Sequence, residues 1–178
     1  MATLLHNISG ELTQELLAAG DNARVSSISL TNARPFLSGI TGTSSTCKVD
    51  LYIEKESSKF YILKDISLPL GATLSHDFTM NNSIGEYGLY IKLTRGDTFT
   101  LTGSINVTGT NTTVPGSGTA FTTELSVGDE ILVTGETRTI SKITSDTVAT
   151  VSAVWGSDLA NDATPDCNPE ALVDVIIS

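Results

Sequence analysis

The side chains able to do chemistry are few in this chain, and their spacing suits little of it. Glu124, Glu130 and Glu136 could serve as the acid and base of a glycan or peptidoglycan hydrolase. That reaction needs two carboxylates held at a fixed separation across a cleft. Each of the three falls in a turn or on an alternating strand, with no sequence sign of a pocket. His76-Asp77 could be half of a hydrolytic dyad. Neighbours on a strand point to opposite faces, so the two cannot share the hydrogen bond a dyad requires. No serine stands in a G-x-S-x-G elbow. Asp158, Asp162 and Asp166 recur every four residues like a calcium loop, but the glycine and distal glutamate of that loop are missing. Gly116-Ser117-Gly118 is not followed by the Lys-Ser/Thr of a phosphate loop. Two cysteines and two distant histidines offer no pair with zinc-ligand spacing. These residues lead to the expectation of no catalytic site, no cofactor and no metal.

The remaining motifs read as structure. Arg95-Gly96-Asp97 spells an adhesion tripeptide, yet Gly and Asp are also what a tight turn at a domain junction needs. The glycosylation pattern at Asn7, Asn81, Asn106 and Asn111 is a by-product of a chain rich in Asn and Thr. Trp155 is expected to pack where an inserted module meets its return linker, with a sugar-stacking role as the alternative; Phe121 is the other aromatic such a role could use. Cys47 and Cys167 are expected as free thiols, with a late bridge between them as the alternative.

Composition narrows the class further. Residues 1–95 carry nine acidic and eight basic side chains, whereas residues 96–178 carry eleven acidic ones against Arg138 and Lys142. Net charges of −1 and −9 follow, and the acidic half repels nucleic acid and anionic membranes, which are recognised by clustered Lys and Arg. No apolar run is long enough to span a membrane. The first twenty residues lack the basic start and apolar stretch of a signal peptide, so synthesis and folding in a cytoplasm are expected. Seventeen of the twenty-six threonines lie between Thr94 and Thr150, which favours a thin, solvent-washed sheet over an enzyme core.

The elements that would hold these residues are strands. Ala23–Leu30, Lys48–Ile53, Phe60–Leu68, Ala72–Phe78, Glu86–Leu93 and Leu172–Ile177 have strand composition and turn-forming borders. In the second of these, Val49, Leu51 and Ile53 share one face, while Lys48, Asp50 and Tyr52 share the other. Leu12–Ala19 reads as a short helical turn stopped by Gly20-Asp21-Asn22. Between Thr112 and Val151, Gly-rich turns separate alternating runs, and Val127-Gly128-Asp129 starts a strand, as in a small β-barrel. The expected fold is all-β: an immunoglobulin-like β-sandwich with a small β-barrel module inserted before the last strand. Residues 1–22 form an N-terminal arm in this reading. Residues 23–97 plus 170–178 form the sandwich, and residues 98–169 form the inserted module and its return linker.

The runs VDLYIEKESSKFYILKDISLPLGATL (Val49–Leu74), YGLYIKL (Tyr87–Leu93) and LVDVIIS (Leu172–Ser178) resemble a family of small virion structural proteins of tailed bacteriophages, particularly those of marine and cyanobacterial hosts. The segment SGTAFTTELSVGDEILVTGETRTISKITSDTVATV is similar to small β-barrel insertions in phage tail and fibre proteins. The resemblance implies a non-enzymatic virion structural protein that assembles in many copies as a capsid decoration or cement, or as a neck or tail accessory protein. Its partners would be other virion proteins and copies of itself, with no nucleic acid and no membrane. Binding of a host surface glycan by the inserted module is the alternative. The near-neutral first half is expected to dock and the acidic half to face water.

Overall fold

The computed structural model describes residues 3–40, 46–82, 85–162 and 165–178. Residues 1–2 of the expected arm, residues 41–45, residues 83–84 with Ser83 of the second glycosylation-like site, and residues 163–164 of the expected linker lie outside the described residues. The chain is all-β, and none of its sheets closes into a barrel among the described residues. In chain order the first eight strands are β1 (Leu4–Ser9), β2 (Thr13–Leu17), β3 (Arg24–Asn32), β4 (Cys47–Lys55), β5 (Ser58–Leu68), β6 (Thr73–Asn81), β7 (Gly88–Thr94) and β8 (Phe99–Thr100). Then come β9 (Ser104–Val107), β10 (Thr113–Ser117), the short helix α1 (Phe121–Glu124), β11 (Glu130–Val133), β12 (Glu136–Ser145) and β13 (Val148–Val151). Strands β14 (Leu159–Asp162), β15 (Asp166–Asn168) and β16 (Leu172–Ile177) complete the chain. They divide between two compact units, one of Met1–Arg34, Thr46–Arg95 and Ala171–Ser178, the other of Pro35–Ser45 and Gly96–Glu170.

The first unit holds two four-stranded antiparallel sheets, in the orders β1-β16-β3-β6 and β2-β7-β4-β5. Period-two alternation turns one face of each strand inward. Ile28 and Leu30 from β3, Val173, Val175 and Ile177 from β16, Val49 and Leu51 from β4, and Leu89, Ile91 and Leu93 from β7 meet in one buried cluster. Both sheets feed that cluster, which makes the arrangement sandwich-like. Burying each such side chain contributes about 1.5–3 kcal/mol. An immunoglobulin sandwich sets several consecutive strands side by side as hairpins. Here β4 and β5 alone are both consecutive and adjacent, so the strand order differs from the expected one.

The described residues of the expected arm, 3–22, are not separate from the sheets. β1 pairs with β16 from Leu4↔Ile177 to Ser9↔Leu172, and β2 pairs with β7, so each supplies an edge strand to one sheet. The expected helical turn over Leu12–Ala19 is β2 instead. A register shift between Glu15 and Leu17 lets consecutive Leu16 and Leu17 both turn inward, where each is 5% exposed. That doubled apolar pair is what imitates a helical face in the sequence.

In the second unit one sheet runs β14-β9-β10-β13-β12-β11-β15-β8, open at both ends. Its core gathers Leu101, Ile105, Val114, Phe121, Ile131, Ile140, Ala149, Trp155 and Cys167. The stretch 156–169, expected as a polar linker, contributes two of the eight strands. β14 pairs with β9, and β15 lies between β11 and β8. Residues 35–40, expected within the sandwich, cluster with this unit, where Gly39 donates its N–H to the Thr123 carbonyl at 2.8 Å.

Candidate functional site

The three glutamates that could have formed a hydrolytic pair are each tied into local scaffold. Glu124, 6% exposed at the end of α1, accepts the Thr102 N–H at 3.0 Å and the Thr102 hydroxyl at 2.5 Å. Glu130 accepts from Asn168 Nδ2 at 2.9 Å, across the β11–β15 pair. Glu136 accepts from Arg138 Nη2 at 2.7 Å and from the Gly156 N–H at 2.8 Å. The Arg138 guanidinium also donates to the Val154 carbonyl and lies 5.3 Å from the centre of the Trp155 ring. These contacts hold residues 154–156 against β12, and the three carboxylates serve three different junctions.

The other acidic positions do the same kind of work. Asp129, fully buried, takes the Ser126 N–H at 2.8 Å on one oxygen and the Glu170 N–H at 2.7 Å on the other. Gly128 before it has φ +99°, and a Cβ there would fall 2.0 Å from a Glu170 carboxylate oxygen, so the turn needs glycine. Asp146 accepts the Thr122 N–H and hydroxyl at the start of α1. Asp158 accepts the Gly109 N–H, and Asp166 accepts the Thr100 hydroxyl. The described residues hold no group of three His, Cys, Asp or Glu able to bind a metal, and the side chain of Asp162 lies outside them. His76 and Asp77 sit opposite Ile28 and Ser27 and point to opposite faces of β6; the His76 ring stacks on Phe78 instead.

At two further positions burial goes against the alternative reading and leaves the expected one. Trp155 is 3% exposed and Phe121 fully buried, so neither offers a ring to a sugar. Cys47 lies in the core of the first unit and Cys167 in that of the second, both as free thiols. Burial pushes the Cys47 thiol up to about 11 from an ordinary 9.0.

Two outward features of the first unit were not legible in the sequence, a tyrosine row whose central Tyr52 is itself buried and an open sheet edge. On the outer face of the β2-β7-β4-β5 sheet, Glu15, Tyr90, Tyr52 and Tyr61 stand directly opposite one another across all four strands. Tyr52 and Tyr90 stack at 5.6 Å, and Tyr52 meets Tyr61 at 5.5 Å. The Tyr90 hydroxyl donates to Glu15, and its own proton is held more tightly than usual, first by desolvation and then by that carboxylate. Lys59 lies 4.5 Å over the Tyr52 ring and donates to its hydroxyl. Gly88 leaves room for this row, since a Cβ there would come within 2.6 Å of the Tyr90 ring. The spacing of Tyr52, Tyr61 and Tyr90 becomes legible only once the register of three strands is known.

The second surface is the β1 edge. Leu4 and Leu5 on this strand are 38% and 73% exposed, and Ile176, cross-strand from Leu5, is 43% exposed. Among the described residues no strand pairs with the outer side of β1. No family model, curated protein sequence or solved structure matches the chain.

Proposed function

We propose that the protein is a non-enzymatic structural component of a tailed-bacteriophage particle, assembled in many copies. It would decorate or cement the head, or serve as a neck or tail accessory, bound to other particle proteins and to copies of itself. The observation that carries the assembly part of this reading is the β1 edge, a six-residue strand without Asp, Glu, Lys or Arg on which Leu4 and Leu5 are exposed beside Ile176 of β16. Unpaired backbone at such an edge recruits a further strand, which is a hazard for a free monomer and useful to a lattice. Repeated weak contacts then add up to firm attachment.

Strand order supports the same reading. Counting β16 as the eighth strand of the first unit, the orders 1-8-3-6 and 2-7-4-5 are those of a two-sheet jelly roll. Viral capsid domains are among the known users of that architecture. Within this proposal it replaces the immunoglobulin-like type, and the second unit is an elaboration between the seventh and eighth strands that keeps a barrel-like sequence. Fold class alone assigns no function; the particle assignment comes from the resemblance of the Val49–Leu74, Tyr87–Leu93 and Leu172–Ser178 runs. The host-glycan alternative relied on Trp155 and Phe121, and their burial removes its support. The test is mass spectrometry of gradient-purified particles with heads and tails separated. Peptides of this chain are expected in one fraction at the abundance of a repeated subunit. Their absence from both would overturn the proposal.

A further inference from the structure

The edges of the first unit's sheets are not alike. β6 carries Asp77, and its pairing with β3 is broken by a register shift. β2 carries Glu15 and its own shift. β5 carries Lys59, Lys64 and Asp65, with two shifts and a left-handed Asp65 at φ 51°. These are the devices that keep an edge strand from recruiting another chain. β1, Leu-Leu-His-Asn-Ile-Ser, has none of them: no Asp, Glu, Lys, Arg or Pro, and an unbroken six-residue register with β16.

Which backbone groups β1 offers outward follows from one bond. The Gly10 N–H donates to the Ala171 carbonyl at 2.8 Å, and continuing the β1–β16 register makes these two residues direct opposites. In an antiparallel ladder, bonds between direct opposites alternate along the strand. Ile8, His6 and Leu4 therefore turn their N–H and C=O groups toward β16. Those of Leu5, Asn7 and Ser9 point away from the sheet. Their side chains lie on the outer face, where Leu5, Asn7, Asp174 and Ile176 border a groove of about 380 Å³.

We propose that β1 pairs antiparallel with β1 of a second copy about a twofold axis, joining two four-stranded sheets into one of eight. The occupant is argued from symmetry and charge. In a twofold antiparallel contact residue i of one strand opposes residue j of its copy and j opposes i, so a strand without charge meets no like charge in any register. β6, β2 and β5 each bring charged side chains to such a pair, whereas β1 brings no Asp, Glu, Lys or Arg. The outward groups of Leu5, Asn7 and Ser9 match the same groups of a second copy, and odd-numbered residues meet odd-numbered ones on the outer face. With Asn7 on the axis, Leu5 of each copy stands opposite Ser9 of the other. The pairing deepens the assembly reading above, and rests on it only in placing this contact on the particle.

The test uses the purified full chain in solution. Analytical ultracentrifugation should show a reversible monomer–dimer equilibrium, and amide exchange at Leu5, Asn7 and Ser9 should slow as concentration rises. Asn7→Pro removes the outward-pointing N–H together with the exposed Asn7 Nδ2 bond to Asp174, so it is read against Asn7→Ala, which loses only that bond; both should keep the circular dichroism of the fold, and the proline variant alone should remain monomeric. The double variants Leu5→Lys with Ser9→Lys, and Leu5→Glu with Ser9→Glu, set like charges opposite one another, so each should be monomeric alone and an equimolar mixture of the two should restore the dimer. A wild-type chain that stays monomeric at every concentration would overturn the pairing. So would a dimer that survives both Asn7→Pro and the Leu5→Lys, Ser9→Lys pair, or outer-edge amides that exchange equally fast in monomer and dimer. Each of these outcomes leaves the particle assignment to be decided by the fractionation experiment.

Discussion

Replacing Asp129 by Ala would leave the Ser126 and Glu170 N–H groups without the carboxylate they bond. The expected loss is about 3 kcal/mol in urea unfolding, since hydrogen bonds to a buried charge contribute more than neutral ones. Asp129→Asn, which keeps one acceptor oxygen, should lose roughly half as much. A loss within error of zero would mean that the 126–129 turn and Glu170 are held by other contacts. Cys47 gives a pH-dependent prediction. Its native thiol titrates near 11 against an ordinary 9.0, so the folded state keeps the proton more tightly. The stability linked to that proton is whole below pH 9 and is lost as pH climbs toward 11. Between those limits the wild type should lose on the order of 2 kcal/mol more than Cys47→Ala. Equal losses would place the thiol in water. At this scale the sequence told which side chains could not cooperate: the opposite faces of His76 and Asp77 follow from strand period alone. It did not tell which carboxylates are buried, because Glu124 and Asp129 are enclosed by backbone from Thr102 and Glu170, distant in the chain.

β16 is the element on which the first unit turns. It lies between β1 and β3 and buries Val173, Val175 and Ile177. Deleting Leu172–Ser178 removes three core side chains worth about 1.5–3 kcal/mol each, strips β1 of its described strand partner and unpairs one side of β3. The truncated chain should be insoluble, or lack the cooperative melt of this unit in calorimetry. A retained melt would show that the sheet closes without its eighth strand. Long alternating strands were legible because period two survives any context: Val49, Leu51 and Ile53 point one way wherever β4 is placed. β2 was misread as helix because its bulge lets Leu16 and Leu17 face the same side. β14 and β15 were misread as linker because strands of four and three residues, rich in Asp and Asn, carry no periodic signal. Strand order was not legible at all. Nothing local to β1 tells that its neighbour lies beyond residue 170.

Across the whole molecule the charge is partitioned by unit. The first holds ten acidic and eight basic residues, the second ten acidic and two basic. Burying the second unit's surface in an assembly would strip water from carboxylates with few cations to pair them, at several kcal/mol per ion. The first unit, with balanced charge, its tyrosine row and the β1 edge, carries no such penalty. In the proposed particle role the protein is therefore held through its first unit, with the acidic second unit left in water. Carboxylate labelling of purified particles and of the free chain, read residue by residue in a mass spectrometer, tests it most directly. Glu124 and Asp129 are too buried to report. Asp97, Asp146 and Asp158 are exposed in the second unit, and Glu11, Glu15 and Asp174 in the first. The account predicts that peptides of this chain are recovered from particles, with Asp97, Asp146 and Asp158 labelled as in the free protein and Glu11, Glu15 and Asp174 protected. Protection of the second unit's carboxylates with free labelling at Glu15 and Asp174, or no peptides from particles at all, would contradict it.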